Sequence, residues 1–259
     1  MTIEEIAKII QANPTNKFIF NHLDENTQNI IMDLLTEVDA KDFKELNPDG
    51  KFEFLSLPIP YEKLSPKSSE QQGPTYSHNI VDKMQELLGK ITSKDENYEY
   101  PALFFRTGIY DEKYNAGKNM SDNLRKTDCS YDWETIKKLI ETVKEEDKEN
   151  FTIALFHTHP NLFGEKYGTL FEKYEEQFSK LGVKPDGLNI SLADIYANMY
   201  LDNMLKEHAL PQIAESVILM HDGRVVSFTT SKGIVLTENN TLENIAKQTK
   251  ARETAQAEL

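Results

Sequence analysis

Apolar side chains recur every three to four positions in several stretches of the chain, which is the spacing of a helix with one buried face. This pattern predicts helices over about residues 2–12, 24–38, 80–91, 133–143, 165–181 and 191–208. Short apolar runs without that spacing predict strands near residues 52–57, 98–106, 151–159, 216–220 and 224–230, with 234–236 as an extension. His221-Asp-Gly223 has the composition of a hairpin turn between the last two main strands. The elements together predict an α/β fold.

Residues typical of turns and linkers divide this pattern. Asn47-Pro-Asp-Gly50 is a turn by composition, and the Ser-, Pro-, Gly- and Gln-rich residues 65–74 are the best linker candidate. Pro58 and Pro60 end the strand predicted before them, and the polar residues 107–131 predict a long loop. We therefore expect an accessory, mostly helical segment over 1–72, a main domain over 73–240 and a helical tail over 241–259.

Charge and composition narrow the classes of partner. The chain has 29 Lys and Arg against 43 Asp and Glu, a net charge of -14, so it repels a phosphate backbone on average. A partner with a basic surface is easier to bind, and some ubiquitin-like folds have one. No apolar run approaches the ~20 residues of a membrane span, and the first residues do not resemble a signal peptide. Cys129, the single cysteine, excludes an intrachain disulfide. We expect a cytoplasmic protein or one delivered into another cell.

The candidate chemistry begins at the end of the most apolar strand. Phe151-Thr-Ile-Ala-Leu-Phe has apolar side chains on both faces, which favours a central position in a sheet. His157 and His159 follow two residues apart, so their imidazoles point to the same side, and Pro160 ends the strand. Two imidazoles held side by side suit a divalent metal ion such as zinc. A zinc site that hydrolyses substrate needs a third ligand, which can be a carboxylate, a cysteine or a histidine.

Ser191-Leu-Ala-Asp194 offers a carboxylate at the start of a predicted helix. Taken alone, Ser-x-x-Asp is better explained as a capping box, in which the acid accepts from the backbone of the serine. Downstream of His157-Thr-His-Pro160 the same spacing resembles the signature of the JAMM/MPN metalloproteases, a zinc family that includes ubiquitin isopeptidases. Glu99, 58 residues before His157, matches the glutamate that the family carries on an upstream strand. The resemblance covers about residues 76–237.

The resemblance implies an MPN-like mixed sheet flanked by helices. It implies that His157, His159 and Asp194 bind Zn²⁺ and that Glu99 is the general base. It also implies that Ser191 donates a hydrogen bond to a developing oxyanion. The implied function is hydrolysis of an isopeptide or peptide bond in a protein or peptide substrate. Removal of ubiquitin or a ubiquitin-like protein is one form of it, as in a deubiquitinase or an effector or toxin of this type. Nucleic acid and membrane are not expected partners.

Two features depart from the family pattern. Residues 161–190 separate Pro160 from Ser191, where the family has a short link, and Ala102 stands where a glycine is usual. The aromatic residues of the insertion suit either the packed face of a helix or a flap beside the metal.

Glu96 is a competitor for the role of base, although it lies outside the apolar run and is expected to be exposed.

Two other classes of protein have to be weighed against the hydrolase. One is a catalytically silent MPN-like binding module, although such modules usually lose the ligands that this chain has. The other is an amidohydrolase with His-x-His on its first strand, which needs a (β/α)8 barrel and a motif near the N-terminus. Cys129 lies in a polar stretch without a local histidine motif and is not expected to act as a nucleophile. The histidines at 22, 78, 208 and 221 suit surface or capping roles.

Overall fold

A computed structural model describes residues 2–39, 41–42, 57–66, 75–96, 98–108, 111–115, 131–185, 187–212, 214–231 and 233–257. The helices of these residues are α1 (Ile3–Ala12), α2 (Pro14–His22), α3 (Glu25–Glu37), α4 (His78–Ile91), α5 (Trp133–Glu141), α6 (Phe163–Lys173), α7 (Glu175–Leu181), α8 (Leu192–Glu207) and α9 (Leu242–Ala257). The strands are β1 (Pro58–Pro60), β2 (Ser65–Pro66), β3 (Ala102–Gly108), β4 (Asp111–Asn115), β5 (Thr152–His159), β6 (Asn189–Ser191), β7 (Glu215–Met220), β8 (Arg224–Thr229) and β9 (Val235–Thr241). Short 3-10 turns cover Tyr61–Lys63 and Glu145–Asp147. The protein is a mixed α/β protein, as the apolar pattern predicts.

Contacts divide the chain into two compact units, each assembled from separate segments. The first unit comprises Met1–Pro66, Phe163–Tyr200 and Thr230–Val235, and the second comprises Lys67–Leu162, Leu201–Thr229 and Leu236–Leu259. Residues of the insertion therefore group with the N-terminal segment, an arrangement that differs from the linear division expected from composition. The predicted turn at 47–50, most of the predicted strand at 52–57 and most of the linker lie outside the described residues.

The sheet of the second unit has the strand order β9-β8-β7-β5-β3-β4. β5 pairs antiparallel with β3 and parallel with β7, so its predicted central position is confirmed. One face of the sheet packs on α4 and on residues of α9, with Met84, Phe156 and Ile245 among the buried residues of that core. The rings of Phe104 and Phe156 lie 4.6 Å apart, centroid to centroid. This core holds β5 in place up to the histidines.

The predicted hairpin joins β7 to β8 as expected. Gly223 has a φ of 84°, a conformation that favours glycine, and its N–H donates to the Met220 carbonyl at 3.0 Å. β4 was not predicted, because residues 111–115 are polar and lie in the expected long loop. They nevertheless pair antiparallel with β3, with a shift of register between Arg106 and Gly108. The remainder of that loop, from 116 to 130 and including Cys129, lies outside the described residues.

The first unit contains the N-terminal helices and the insertion. Thr2 and Glu5 form a reciprocal capping box at α1, with bonds of 2.8 and 3.2 Å. Asn13-Pro14 ends α1 as expected but also begins α2, which the pattern did not predict. The Asn13 side chain accepts from the Asn16 N–H at 3.0 Å, and proline is tolerated in a first helical turn because its missing N–H needs no partner there.

The insertion forms two helices where the pattern predicts one. Tyr174 leaves helical dihedral angles between α6 and α7, and its hydroxyl donates to Asp42 at 2.9 Å. Tyr167, Tyr174 and Phe178 are buried, so these aromatic side chains belong to a packed core. Lys173 lies 2.6 Å from Asp39 and 2.5 Å from Asp42, which ties the insertion to residues just beyond α3.

β1 and β6 form a separate two-stranded sheet, antiparallel, in which Pro58 lies opposite Ser191 and Ile59 opposite Ile190. The strand that Pro58 and Pro60 were expected to end lies almost wholly outside the described residues, and the two prolines belong to a strand of their own, which was not predicted. Proline is tolerated in such a short edge strand because few backbone donors are needed.

Within the part of the chain that the structure describes, we find no helix with the length and apolar character to traverse a bilayer.

Candidate metal centre

β5 presents the two imidazoles at its C-terminal end. Its partner β7 places Ile218 opposite His157 and Met220 opposite His159, so the strand is paired up to its last residue. His157 is 3% exposed, and His159 is half-buried. The Nε2 atoms of the two rings lie 2.9 Å apart. The two imidazoles at the end of this paired strand therefore face each other with their Nε2 atoms.

Tyr131 bears on which ring nitrogen of His157 carries the hydrogen. Its hydroxyl donates to the Phe156 carbonyl at 3.2 Å and lies 3.0 Å from Nδ1 of His157. A phenol has one hydrogen, so both contacts are satisfied when Nδ1–H of His157 donates to the hydroxyl. Nε2 then has the lone pair, directed toward Nε2 of His159. Metal-binding histidines are commonly oriented by a hydrogen bond from the other ring nitrogen.

Tyr131 was not a predicted site residue. It lies 26 residues before His157, next to the start of α5, and no local motif marks it. Only the packing of that segment beside β5 brings the phenol to the imidazole. Its proximity is therefore a property of the tertiary fold.

Ser191 and Asp194 form the capping box that their spacing predicts. Oδ2 of Asp194 accepts from the Ser191 N–H at 2.6 Å and from the Ser191 hydroxyl at 3.0 Å, while the Asp194 N–H donates to Oγ of Ser191 at 3.2 Å. Ser191 is the last residue of β6, and the next residue donates its N–H to the Leu57 carbonyl at 3.3 Å. The start of α8 is thus held by its own cap and by the residue just before β1.

The capping role does not exclude a role as ligand, because the three predicted ligands come together. One nitrogen of His157, one of His159 and one carboxylate oxygen of Asp194 all lie within 4.8 Å of one another. Metal–ligand distances of about 2.0–2.2 Å, as for zinc, allow two donors of one ion to be at most about 4.4 Å apart, which is close to the 4.8 Å that bounds this group. The three side chains could therefore hold one metal ion, and among the described residues this is the group of three acidic, histidine or cysteine side chains found that close together.

Glu99 lies three residues before β3. The pairing of β3 with β5 ends at Ala102 with Phe156, and three further steps in the same register would bring Glu99 opposite His159. Opposite residues of antiparallel strands have their side chains on the same face, which would direct Glu99 toward the histidine side of the sheet. Glu99 is half-buried, whereas the competing Glu96 is exposed, as its position outside the apolar run predicts.

Three of the remaining histidines have contacts away from this group. Nδ1 of His22 lies 2.8 Å from the Phe18 carbonyl and Nδ1 of His208 lies 2.9 Å from the Met204 carbonyl, both one helical turn back. His78 is exposed and pairs with Glu253 at 3.2 Å. These contacts agree with the surface and capping roles that their positions predict.

The fold and the site together define a mixed α/β protein with a candidate metal centre of two imidazoles and one carboxylate. Comparisons with protein-family models, with curated proteins and with solved structures found no match for the chain. Function is therefore inferred from the residues of the site and from the sequence motif that they form.

Proposed function

We propose that the chain is a zinc-dependent metallohydrolase of the JAMM/MPN type, which cleaves an isopeptide or peptide bond. The observation that supports this proposal is the convergence of His157, His159 and Asp194, which stand at the ligand positions of the motif. Two imidazoles and one carboxylate are also a ligand set of catalytic zinc sites, which keep a further position open for water or substrate. When bound, zinc would polarise a scissile carbonyl and lower the pKa of a water molecule.

The residues around the ligands have distinct tasks in this proposal. Tyr131 holds His157 with Nε2 as the donor atom, and the backbone of Ser191 holds the Asp194 carboxylate. Glu99 accepts a proton from the attacking water and passes it to the leaving amine. The Ser191 hydroxyl, which donates to Asp194 in the structure, turns to donate to the substrate carbonyl oxygen as charge develops there. No side chain has to form a covalent bond to substrate.

An amide carbonyl with an amine leaving group is the substrate that this set of residues suits. Isopeptide bonds to lysine and linear peptide bonds both meet that description. The net charge of -14 favours a partner with a basic surface, and this makes ubiquitin-like conjugates reasonable first substrates.

Metal analysis combined with cleavage assays tests the proposal. Purified protein is analysed for metal by mass spectrometry, then incubated with a panel of diubiquitin linkages and with a mixture of linear peptides. We expect one zinc per chain and cleavage of at least one substrate. Glu99→Gln should keep the zinc and lose cleavage by about 10²- to 10⁴-fold, which is the usual contribution of general acid–base catalysis.

Glu96→Gln is the matched control, because it removes the neighbouring exposed carboxylate by the same chemical change. We expect it to cleave like the wild type, and the reverse result would assign the base to Glu96. Cleavage of peptides without cleavage of ubiquitin chains would restrict the substrate class. A chain that binds no zinc would contradict the hydrolase and favour a catalytically silent binding module.

A further inference from the structure

Glu99 lies in a short segment, residues 98–100, that runs beside the end of β5 before β3 begins and is not part of a strand. The paired residues of β3 and β5 end at Ala102 and Phe156, and Pro101, next along, has no N–H to offer to a ladder. Something other than regular pairing must hold residues 98–100 beside the end of β5.

Thr158 supplies the missing bonds. Its hydroxyl oxygen accepts from the Tyr100 N–H at 2.8 Å, and the hydroxyl donates to the Tyr98 carbonyl at 3.2 Å. The two contacts therefore hold the backbone on both sides of Glu99. Thr158 is itself the residue between His157 and His159, so one side chain links the strand that carries the imidazoles to the segment that carries the predicted base.

The surroundings of Thr158 and Tyr100 leave these two hydrogen bonds few alternatives. Thr158 is 0% exposed, and a buried donor or acceptor that loses its partner is costly, so the hydroxyl has few alternatives. Tyr100 is held further by its own hydroxyl, which donates to the Glu96 carbonyl at 2.9 Å, and by Lys90, whose Nζ lies 5.6 Å from the centre of its ring. The rings of Tyr98 and Tyr100 meet edge to face at 6.3 Å.

We propose that Thr158 is a positioning residue for Glu99, which fixes the general base relative to the paired imidazoles through two hydrogen bonds to the backbone around it. This inference rests on the proposed function only in the role it gives to Glu99. A base acts when it is within hydrogen-bond reach of the proton it removes, and a displacement of about 1 Å can cost on the order of 10²-fold in rate. Neither bond touches a ligand side chain, so metal binding should not depend on them.

Thr158→Val is the central variant, because valine has nearly the same shape and cannot make either bond. Thr158→Ser keeps the hydroxyl, and Thr152→Val makes the same chemical change at the exposed start of the same strand. The first measurement needs no substrate: hydrogen exchange of the Tyr100 amide, followed by NMR in the metal-free protein. We expect exchange about 10-fold faster in Thr158→Val and unchanged exchange in the other two variants.

The second measurement compares zinc affinity and turnover. We expect Thr158→Val to bind zinc within about twofold of the wild type and to lose about 10- to 100-fold in kcat, with KM nearly unchanged. Combining it with Glu99→Gln should add little to the loss caused by Glu99→Gln alone, because both changes act on one group. Thr158→Ser should restore most of kcat.

Each outcome distinguishes this inference from the proposed function. If Glu99→Gln abolishes cleavage while Thr158→Val leaves both kcat and Tyr100 exchange unchanged, Thr158 does not position the base. Additive losses in the double variant would also overturn the inference, since they would mean that Thr158 acts elsewhere. If Glu99→Gln cleaves like the wild type, the proposed role of Glu99 fails, whatever the exchange experiment shows.

Discussion

Asp194 caps a helix and belongs to the candidate metal group, and one substitution can separate the capping role from the proposed role as ligand. Its Oδ2 accepts the Ser191 N–H at 2.6 Å, which caps α8, and one of its oxygens belongs to the candidate metal group. Asp194→Asn keeps a neutral oxygen that can accept the capping bond. The same change removes the negative charge and weakens the side chain as a ligand. We therefore expect it to remove metal binding while largely preserving the fold.

The magnitudes of the two effects differ enough to be measured apart. Loss of a helix N-cap costs about 1 kcal/mol, within about 0.5–2 kcal/mol, and asparagine should cost less than this because it keeps an acceptor. Zinc at 100 times its dissociation constant stabilises the folded protein by about 2.7 kcal/mol. One kcal/mol shifts the unfolding temperature of a chain of about this size by about 2–4 °C. The wild type should therefore gain about 5–10 °C with zinc, and Asp194→Asn essentially none.

The assay is thermal unfolding by circular dichroism, with chelator-treated protein measured before and after addition of zinc. Ser191→Ala serves as the opposite control, because it removes the hydroxyl contacts at 3.0 and 3.2 Å but keeps all three candidate ligands. We expect its metal-free midpoint to fall by about 2–4 °C and its zinc-dependent gain to persist. A full zinc-dependent gain in Asp194→Asn would refute the assignment of Asp194 as a ligand.

Three further results are expected. Tyr131→Phe, which removes the hydroxyl 3.0 Å from His157, should weaken zinc binding by about 10- to 100-fold in a competition assay with a coloured chelator, and an unchanged affinity would contradict its orienting role. Phe178→Ala should destabilise the protein by about 3–5 kcal/mol in urea unfolding, since Phe178 is 0% exposed, and a loss below 1 kcal/mol would show that its surroundings are loosely packed. A hydrogen bond from Lys173 lowers the pKa of Asp39 below its ordinary value of 3.8. The pair therefore stabilises the fold above pH 3.8, and this stabilisation is lost as the pH falls through the lowered pKa of Asp39. Lys173→Met should therefore be less stable than the wild type at pH 7, with a difference that shrinks below pH 3.8 in urea unfolding, and a constant difference would argue against the ion pair.

Local patterns predicted the elements whose determinants are local. Helices α1, α3, α4, α5 and α8 begin and end within two residues of their expected bounds, because the period of buried side chains is a property of each segment. Strand β5 was predicted as central for a similar reason, since apolar residues on both faces need cover on both sides. The capping box at Ser191 also needs only four consecutive residues.

Elements that depend on distant partners were missed. β1 contains two prolines and has strand geometry because β6 pairs with it, and β4 is polar and depends on β3. The break at Tyr174 coincides with a bond to Asp42, 132 residues away in sequence. In each case the stabilising contact comes from another part of the chain, and no window of sequence contains it.

Local sequence was enough to predict the chemical types at the site, which are two imidazoles at alternate positions of a strand end and a carboxylate in the first turn of a helix. The three-dimensional fold was needed to show that a carboxylate oxygen of Asp194 lies within 4.8 Å of both imidazoles although residues 161–190 intervene. It was also needed to show that Tyr131 contacts His157 and that Thr158 bonds the backbone on both sides of Glu99. The physical reason is that spacing along a strand or a helix fixes direction over a few residues. The distance between segments depends instead on how an insertion packs and which strands pair, and that is settled by contacts across the whole chain.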